Sequence, residues 1–133
     1  MQALLLPVGD DRYAVELTAV REVVRGPEIT PLPGAPETIL GVLNLRGDVV
    51  PVLDTAALLG IGRVQRPDFA VVADTEQGPA ALAADATPAT VALSAPSGSA
   101  ELPAGAGRFT VGEEVVTLLD LAVLLAPERV GGS

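Results

Sequence analysis

A twelve-residue stretch of this chain returns half a chain later. Val49-Val50-Pro51-Val52-Leu53-Asp54-Thr55-Ala56-Ala57-Leu58-Leu59-Gly60 aligns with Val115-Val116-Thr117-Leu118-Leu119-Asp120-Leu121-Ala122-Val123-Leu124-Leu125-Ala126, with seven of the twelve positions identical at an offset of 66 residues. The same offset lays Leu4-Leu5-Leu6 on Ala70-Val71-Val72, and the turn acid Asp10 on Glu76. A duplicated strand–turn–strand–helix unit must pack against its own copy, and a small sheet hides its edges best by closing on itself. The repeat therefore predicts two small β-barrels side by side.

Local patterning agrees with an all-β chain. Gly and Pro make up 26 of the 133 residues, and the apolar runs between them are short and valine-rich. Leu4–Leu6 reads as a strand, Gly9-Asp10-Asp11 as a turn and Tyr13–Leu17 as the returning strand. Leu17, Val20, Val23 and Val24 recur at helical spacing and predict one or two helical turns before Gly26-Pro27. Pro27, Pro31, Pro33 and Pro36 make residues 26–37 an extended connector. Ile39–Leu45 and Val49–Leu53 form the clearest hairpin around Arg46-Gly47-Asp48, where Gly47 can take a positive φ. Asp54 is placed to cap a short helix closed by Gly60. Residues 61–68 read as a linker, and Phe69–Ala73 with Ala80–Ala83 as a second hairpin. Thr90–Leu93 could be another strand, and residues 94–107 a loop. Phe109–Val111 with Val115–Leu119 make a third hairpin, and Asp120 caps a last helix stopped by Pro127.

Composition removes most covalent and metal chemistry. All 8 basic residues are arginine, and histidine, cysteine and tryptophan are absent. No imidazole base, Schiff-base lysine or thiolate ligand can therefore be assembled, and a disulfide-built scaffold is excluded. A net charge of −9 disfavours nucleic acid and anionic membrane surfaces. No apolar run approaches the roughly 20 residues needed to cross a bilayer, and the first residues lack the basic region of a signal peptide. The expected location is cytoplasmic, with no cofactor, no metal and no membrane insertion.

Among candidate chemistries, Asp54 and Asp120 invite an acid-active aspartic dyad, since Asp54-Thr55-Ala56 follows an apolar strand. An Asp between a strand and a Leu-Leu helical run is more simply an N-cap. Arg46-Gly47-Asp48 spells an adhesion tripeptide but is ordinary turn chemistry. Gly105-Ala106-Gly107 is not a phosphate cradle, because no strand feeds it. Glu22 and Arg46 are more informative, each a charge at the border of a strongly apolar segment, where charges are either paired or used for binding.

The segment Ile39-Leu40-Gly41-Val42-Leu43-Asn44-Leu45-Arg46-Gly47-Asp48-Val49-Val50-Pro51-Val52-Leu53-Asp54 resembles the CheW family of bacterial chemotaxis coupling proteins. Tyr13-x-Val15-x-Leu17-x-x-Val20-x-Glu22-Val23 is similar to that family's upstream segment, and Gly9-Asp10 fits its first turn. In the second half only Asp85 matches a family Val-Asp-x-Val segment. The resemblance implies one CheW-like domain over 1–133, an all-β fold of two SH3-like five-stranded barrels with a few short helices. These would span about 12–62 and 67–126, with the N-terminal strand open to either. It also implies a non-catalytic adapter, monomeric when isolated, that couples the cytoplasmic tip of methyl-accepting chemoreceptors to the CheW-like regulatory domain of the histidine kinase CheA. Receptor-facing positions would map to Val20, Gly41 and Arg46. Glu22 would pair with Arg46, and Asn44 and Gly47 complete the protein-binding set. A divergent module of a non-chemotactic pathway, or an orphan relative of the kinase's own regulatory domain, would share the fold.

Overall fold

The structure, a computed structural model, describes residues 1–94, 98 and 104–131. It contains ten strands: β1 Gln2–Val8, β2 Asp11–Glu16, β3 Val20–Arg25, β4 Ile39–Leu45, β5 Asp48–Leu53, β6 Phe69–Thr75, β7 Gly78–Ala84, β8 Ala89–Ala92, β9 Gly105–Val111 and β10 Glu114–Leu119. Three short helices complete it: α1 Thr55–Leu59 after β5, then α2 Leu121–Leu124 and α3 Pro127–Val130 after β10.

The strands form two five-stranded sheets, ordered β8-β1-β2-β10-β9 and β3-β6-β7-β5-β4. Each sheet therefore combines the first hairpin of one repeat with the last three strands of the other. This divides the chain differently from the expected continuous barrels at 12–62 and 67–126. Four pairings make the exchange: the antiparallel β1 with β8 and β3 with β6, and the parallel β2 with β10 (Tyr13↔Thr117) and β7 with β5 (Ala81↔Val52). Because the sheets share both repeats, neither half of the chain has a complete sheet of its own.

The registers also refine the repeat. The hairpins β1–β2 and β6–β7 close on Val8↔Asp11 and Thr75↔Gly78, an offset of 67 that persists into β3 and β8. From β4 and β9 onward the closing pairs Leu45↔Asp48 and Val111↔Glu114 return to 66. Asp10 thus corresponds to Gln77 rather than Glu76.

Two expectations are corrected. Val20–Arg25 is a strand preceded by a single 3-10 turn at Leu17–Ala19, because Val20, Glu22 and Val24 alternate inward at period two. Val20 and Val24 satisfy both periods, and β-branched residues with a free partner edge on β6 resolve them as sheet. Gly105–Gly107 lies in β9 instead of a loop; of the rest of the expected loop, residues 95–97 and 99–103 fall outside the described residues.

A larger core gathers both sheets, with Leu6, Val15, Val50, Val71, Leu82 and Leu124 essentially inaccessible. A smaller one, with Leu5, Ala14, Phe109 and Val116, lies within the first sheet. Strand β1 serves both by alternation: Leu4, Leu6 and Val8 join the first core, Ala3 and Leu5 the second. Each fully buried Val or Leu contributes on the order of 1.5–3 kcal/mol. The alanine run of β7 is poor β-former chemistry, yet Ala80–Ala84 is buried throughout, where small side chains suit a central strand covered on both faces.

Candidate protein-binding site

Strands β3 and β4 are the two outermost strands of the second sheet, so their separate edges must be covered or joined. The connector does part of this. Thr30 forms an isolated bridge with Val42, giving and receiving backbone hydrogen bonds of 2.8 Å. Gly41 makes the crossing possible: at its φ of 156° a Cβ would lie 2.2 Å from the Thr30 carbonyl oxygen. Side chains do the rest. The Arg46 guanidinium forks onto the Glu22 carboxylate, Nη2 donating to Oε1 and Nη1 to Oε2 at 3.3 Å, which ties the end of β4 to β3. Glu22 is about a quarter exposed and Arg46 mostly exposed. The hydrogen bonds from Arg46 hold the Glu22 carboxyl below its usual range of 4.5; partial desolvation opposes this, and the Arg46 and Arg21 charges assist. The same hydrogen bonds push the Arg46 guanidinium up.

The turn that presents Arg46 is a two-residue hairpin with positive φ at both positions, 51° at Arg46 and 92° at Gly47. The Asn44 side chain accepts the Gly47 N–H at 2.9 Å and braces it. Among the described residues Arg46 alone has a positive φ without being glycine. Glycine adopts that conformation freely, whereas an L-residue is strained in it.

The repeat provides an internal comparison. Arg46 corresponds to Gly112, whose φ is 62°, so the second copy puts glycine where the turn wants it. Glu22 corresponds to Ala89. The first sheet is therefore built without this ion pair, and the pair is a feature of one barrel added to the common fold. Gly41 behaves oppositely. Its counterpart Gly107 also has a positive φ, and Gly98 bridges Arg108 as Thr30 bridges Val42. Gly41 is thus part of the shared architecture.

Of the six sequence-predicted residues, Glu22, Asn44, Arg46 and Gly47 come together at the β4–β5 turn and the facing stretch of β3. Val20 begins β3, half-buried beside the larger core. Gly41 is buried under the connector. Sequence reasoning missed Val49, which is 67% exposed and directly opposite Asn44. Period-two alternation from buried Val50 was the available signal.

The two aspartates are helix caps. Asp54, fully buried, accepts the Ala57 and Val64 N–H groups at 3.0 Å each, with Arg63 Nε 3.9 Å from its other oxygen. Asp120, exposed, accepts from Ala122 at 3.0 Å and Val123 at 3.3 Å. Asp85 is a brace as well, receiving the Gly9 N–H at 2.7 Å and the Arg66 N–H at 3.0 Å.

A family model described as the CheW-like domain matches residues 2–129. The chain belongs to the CheW-like domain family. Chemotaxis protein CheW of Rhizobium meliloti (strain 1021) is 48% identical over 54 residues, 41% of this chain and 35% of that protein. Protein FrzA of Myxococcus xanthus is 45% identical over 58 residues, 44% of this chain and 36% of that protein. The matched segments thus span about a third of these curated relatives. Among solved structures, the scaffolding protein TtCheW from Thermoanaerobacter tengcongensis superposes with a TM-score of 0.80 at 23% identity, covering 92% of this chain and 86% of that one. This shows the CheW fold, in agreement with the two five-stranded sheets. No helix among the described residues is long and apolar enough to cross a membrane.

Proposed function

We propose that this CheW-like domain is a non-catalytic cytoplasmic adapter that couples the tip of a methyl-accepting chemoreceptor to the regulatory domain of a CheA-type histidine kinase, and that it is monomeric when isolated. The receptor tip, an apolar helical hairpin, docks at the β3–β4 side through Val20 and the Glu22–Arg46 pair, framed by Asn44 and Gly47. Gly41 acts beneath this surface by letting the connector pass.

The observation that most supports this reading is the placement of Arg46. A long cation sits in a strained turn position that the sister repeat fills with glycine, and its carboxylate partner is also missing from that repeat. A strained residue that the common fold does not require points to function. With both charges in solvent reach, the pair contributes orientation and partner choice more than affinity.

Co-precipitation with a purified receptor hairpin and the purified kinase regulatory domain tests the reading. Retention of both on immobilised chain is the expected result. Binding of neither by a folded chain refutes it.

A further inference from the structure

A cleft of about 850 Å³ opens between the end of β2, the β6–β7 turn and the β10–α2 junction. Buried Leu118, Leu119 and Leu125 line its interior, while the exposed carboxylates Glu16, Glu76 and Asp120 stand around it. No arginine lines it, and these three acids enter no ion pair among the described residues. Asp74, the fourth acid there, is paired with Arg21 at 2.6 Å. Among the described residues no group of three acidic side chains is placed to hold a metal ion. The volume lies in the range of ligand-binding clefts.

The other repeat shows what such a place accommodates. By register Asp120 corresponds to Asp54 and Glu76 to Gly9. Between Asp54 and Gly9 runs segment 61–66, which is neither helix nor strand. Its Val64 N–H donates to Asp54, its Arg66 N–H donates to Asp85, which also holds Gly9, and the Val64 side chain enters the core at 8% exposure. Arg63 adds a guanidinium near the second Asp54 oxygen. After α2 the chain does not repeat this path. It turns instead into α3, where the Arg129 side chain donates to the Leu58 carbonyl and Thr38 to that of Val130.

We propose that this cleft binds an extended basic peptide segment of a partner protein, seated as residues 61–66 are seated in the other repeat. One aliphatic side chain lies on Leu118, Leu119 and Leu125. One backbone N–H reaches Asp120, and Lys or Arg side chains on either side meet Glu16 and Glu76. An extended occupant is required because a helix interior has already committed its N–H groups. Charge complementarity selects a basic one, and the chain's net charge of −9 favours its approach.

The probe is a fluorescent synthetic peptide with the sequence of residues 61–67, titrated onto the intact chain by anisotropy, with amide shifts followed by NMR. Expected are saturable binding that weakens with salt, shifts confined to the cleft at residues 16–19, 74–77 and 118–127, and about tenfold weaker binding to the E16Q/E76Q variant. Arg46→Gly leaves this binding unchanged, which separates the cleft from the β3–β4 surface. Absence of saturable binding overturns the proposal. So do shifts at residues 54, 64 and 85 instead, equal binding of a helical peptide of the same composition, or self-association of the chain at the cleft.

Discussion

Replacing Gly41 by alanine tests most sharply how the second barrel is closed. The new methyl would meet the Thr30 carbonyl oxygen at 2.2 Å, its carbon at 2.8 Å and Ile29 Cγ2 at 2.9 Å, so backbone and not a flexible side-chain end must move. Moving it stretches the two 2.8 Å hydrogen bonds between Thr30 and Val42. Overpacking of this kind costs about 1–3 kcal/mol, and each weakened hydrogen bond about 0.5–1.5 kcal/mol. Partial relaxation leaves a net loss of about 2–4 kcal/mol. With about 2.1 cal/mol/K of unfolding entropy per residue, a chain of 133 residues loses close to 3.6 °C per kcal/mol. Scanning calorimetry should therefore find Tm lower by about 7–14 °C. Gly112→Ala is the control, since its φ of 62° is strained but nothing lies within 4 Å; about 1–2 kcal/mol, or about 4–7 °C, is expected there. A Gly41→Ala melting point within about 2 °C of the parent, or no lower than that of Gly112→Ala, refutes the reasoning.

Further outcomes follow from the caps and the ion pair. Asp54→Ala removes a helix cap and orphans the buried Val64 N–H, for a loss of about 2–4 kcal/mol in urea titrations, while Asp54→Asn, which still caps, loses less than half of that. Equal losses would show that the carboxylate charge matters more than its hydrogen bonds. Glu22 titrates below 4.5 in the folded chain, so its pairing adds stability that is fully present above that pH and is lost as pH falls through the lowered value. Melting curves of the parent and Glu22→Gln should hence differ at pH 7 and converge once the pH has fallen below the lowered Glu22 titration, followed by NMR on the same sample; a gap that persists after Glu22 is protonated would place the effect elsewhere. Val49→Ser should leave Tm within about 2 °C, because the side chain is mostly in solvent.

Much of this architecture was legible in the chain. The 39–54 hairpin announces itself by β-branched alternation around Gly47, and the strand–Asp–helix repeat forecast two sheets of one design. The Glu22–Arg46 pairing was also foreseen, though only through the family resemblance. What escaped had physical causes. Val20 and Val24 fit both a helical and a strand period, and only the edge of β6 decides between them. The hairpin exchange rests on pairings between distant strands, β1 with β8, β3 with β6 and the short parallel contacts Tyr13↔Thr117 and Ala81↔Val52, which leave no local signature. The shift from 67 to 66 lies in the proline-rich connector between β3 and β4, where the two repeats share no sequence pattern, so an offset taken from the 49–60 match misplaced Asp10 by one residue. Gly41 looked like a surface position because its reason is a backbone crossing eleven residues away in sequence, at Thr30.

One barrel carries an arginine that its fold would exchange for glycine, and in the proposed function a partner needs it. Calorimetric titration of the isolated receptor hairpin into the parent and into Arg46→Gly, with Tm recorded on the same samples, tests it most directly. Binding should weaken about fivefold, the scale of an exposed ion pair, while Tm holds or rises. Unchanged binding, or binding lost in step with a falling Tm, would contradict it.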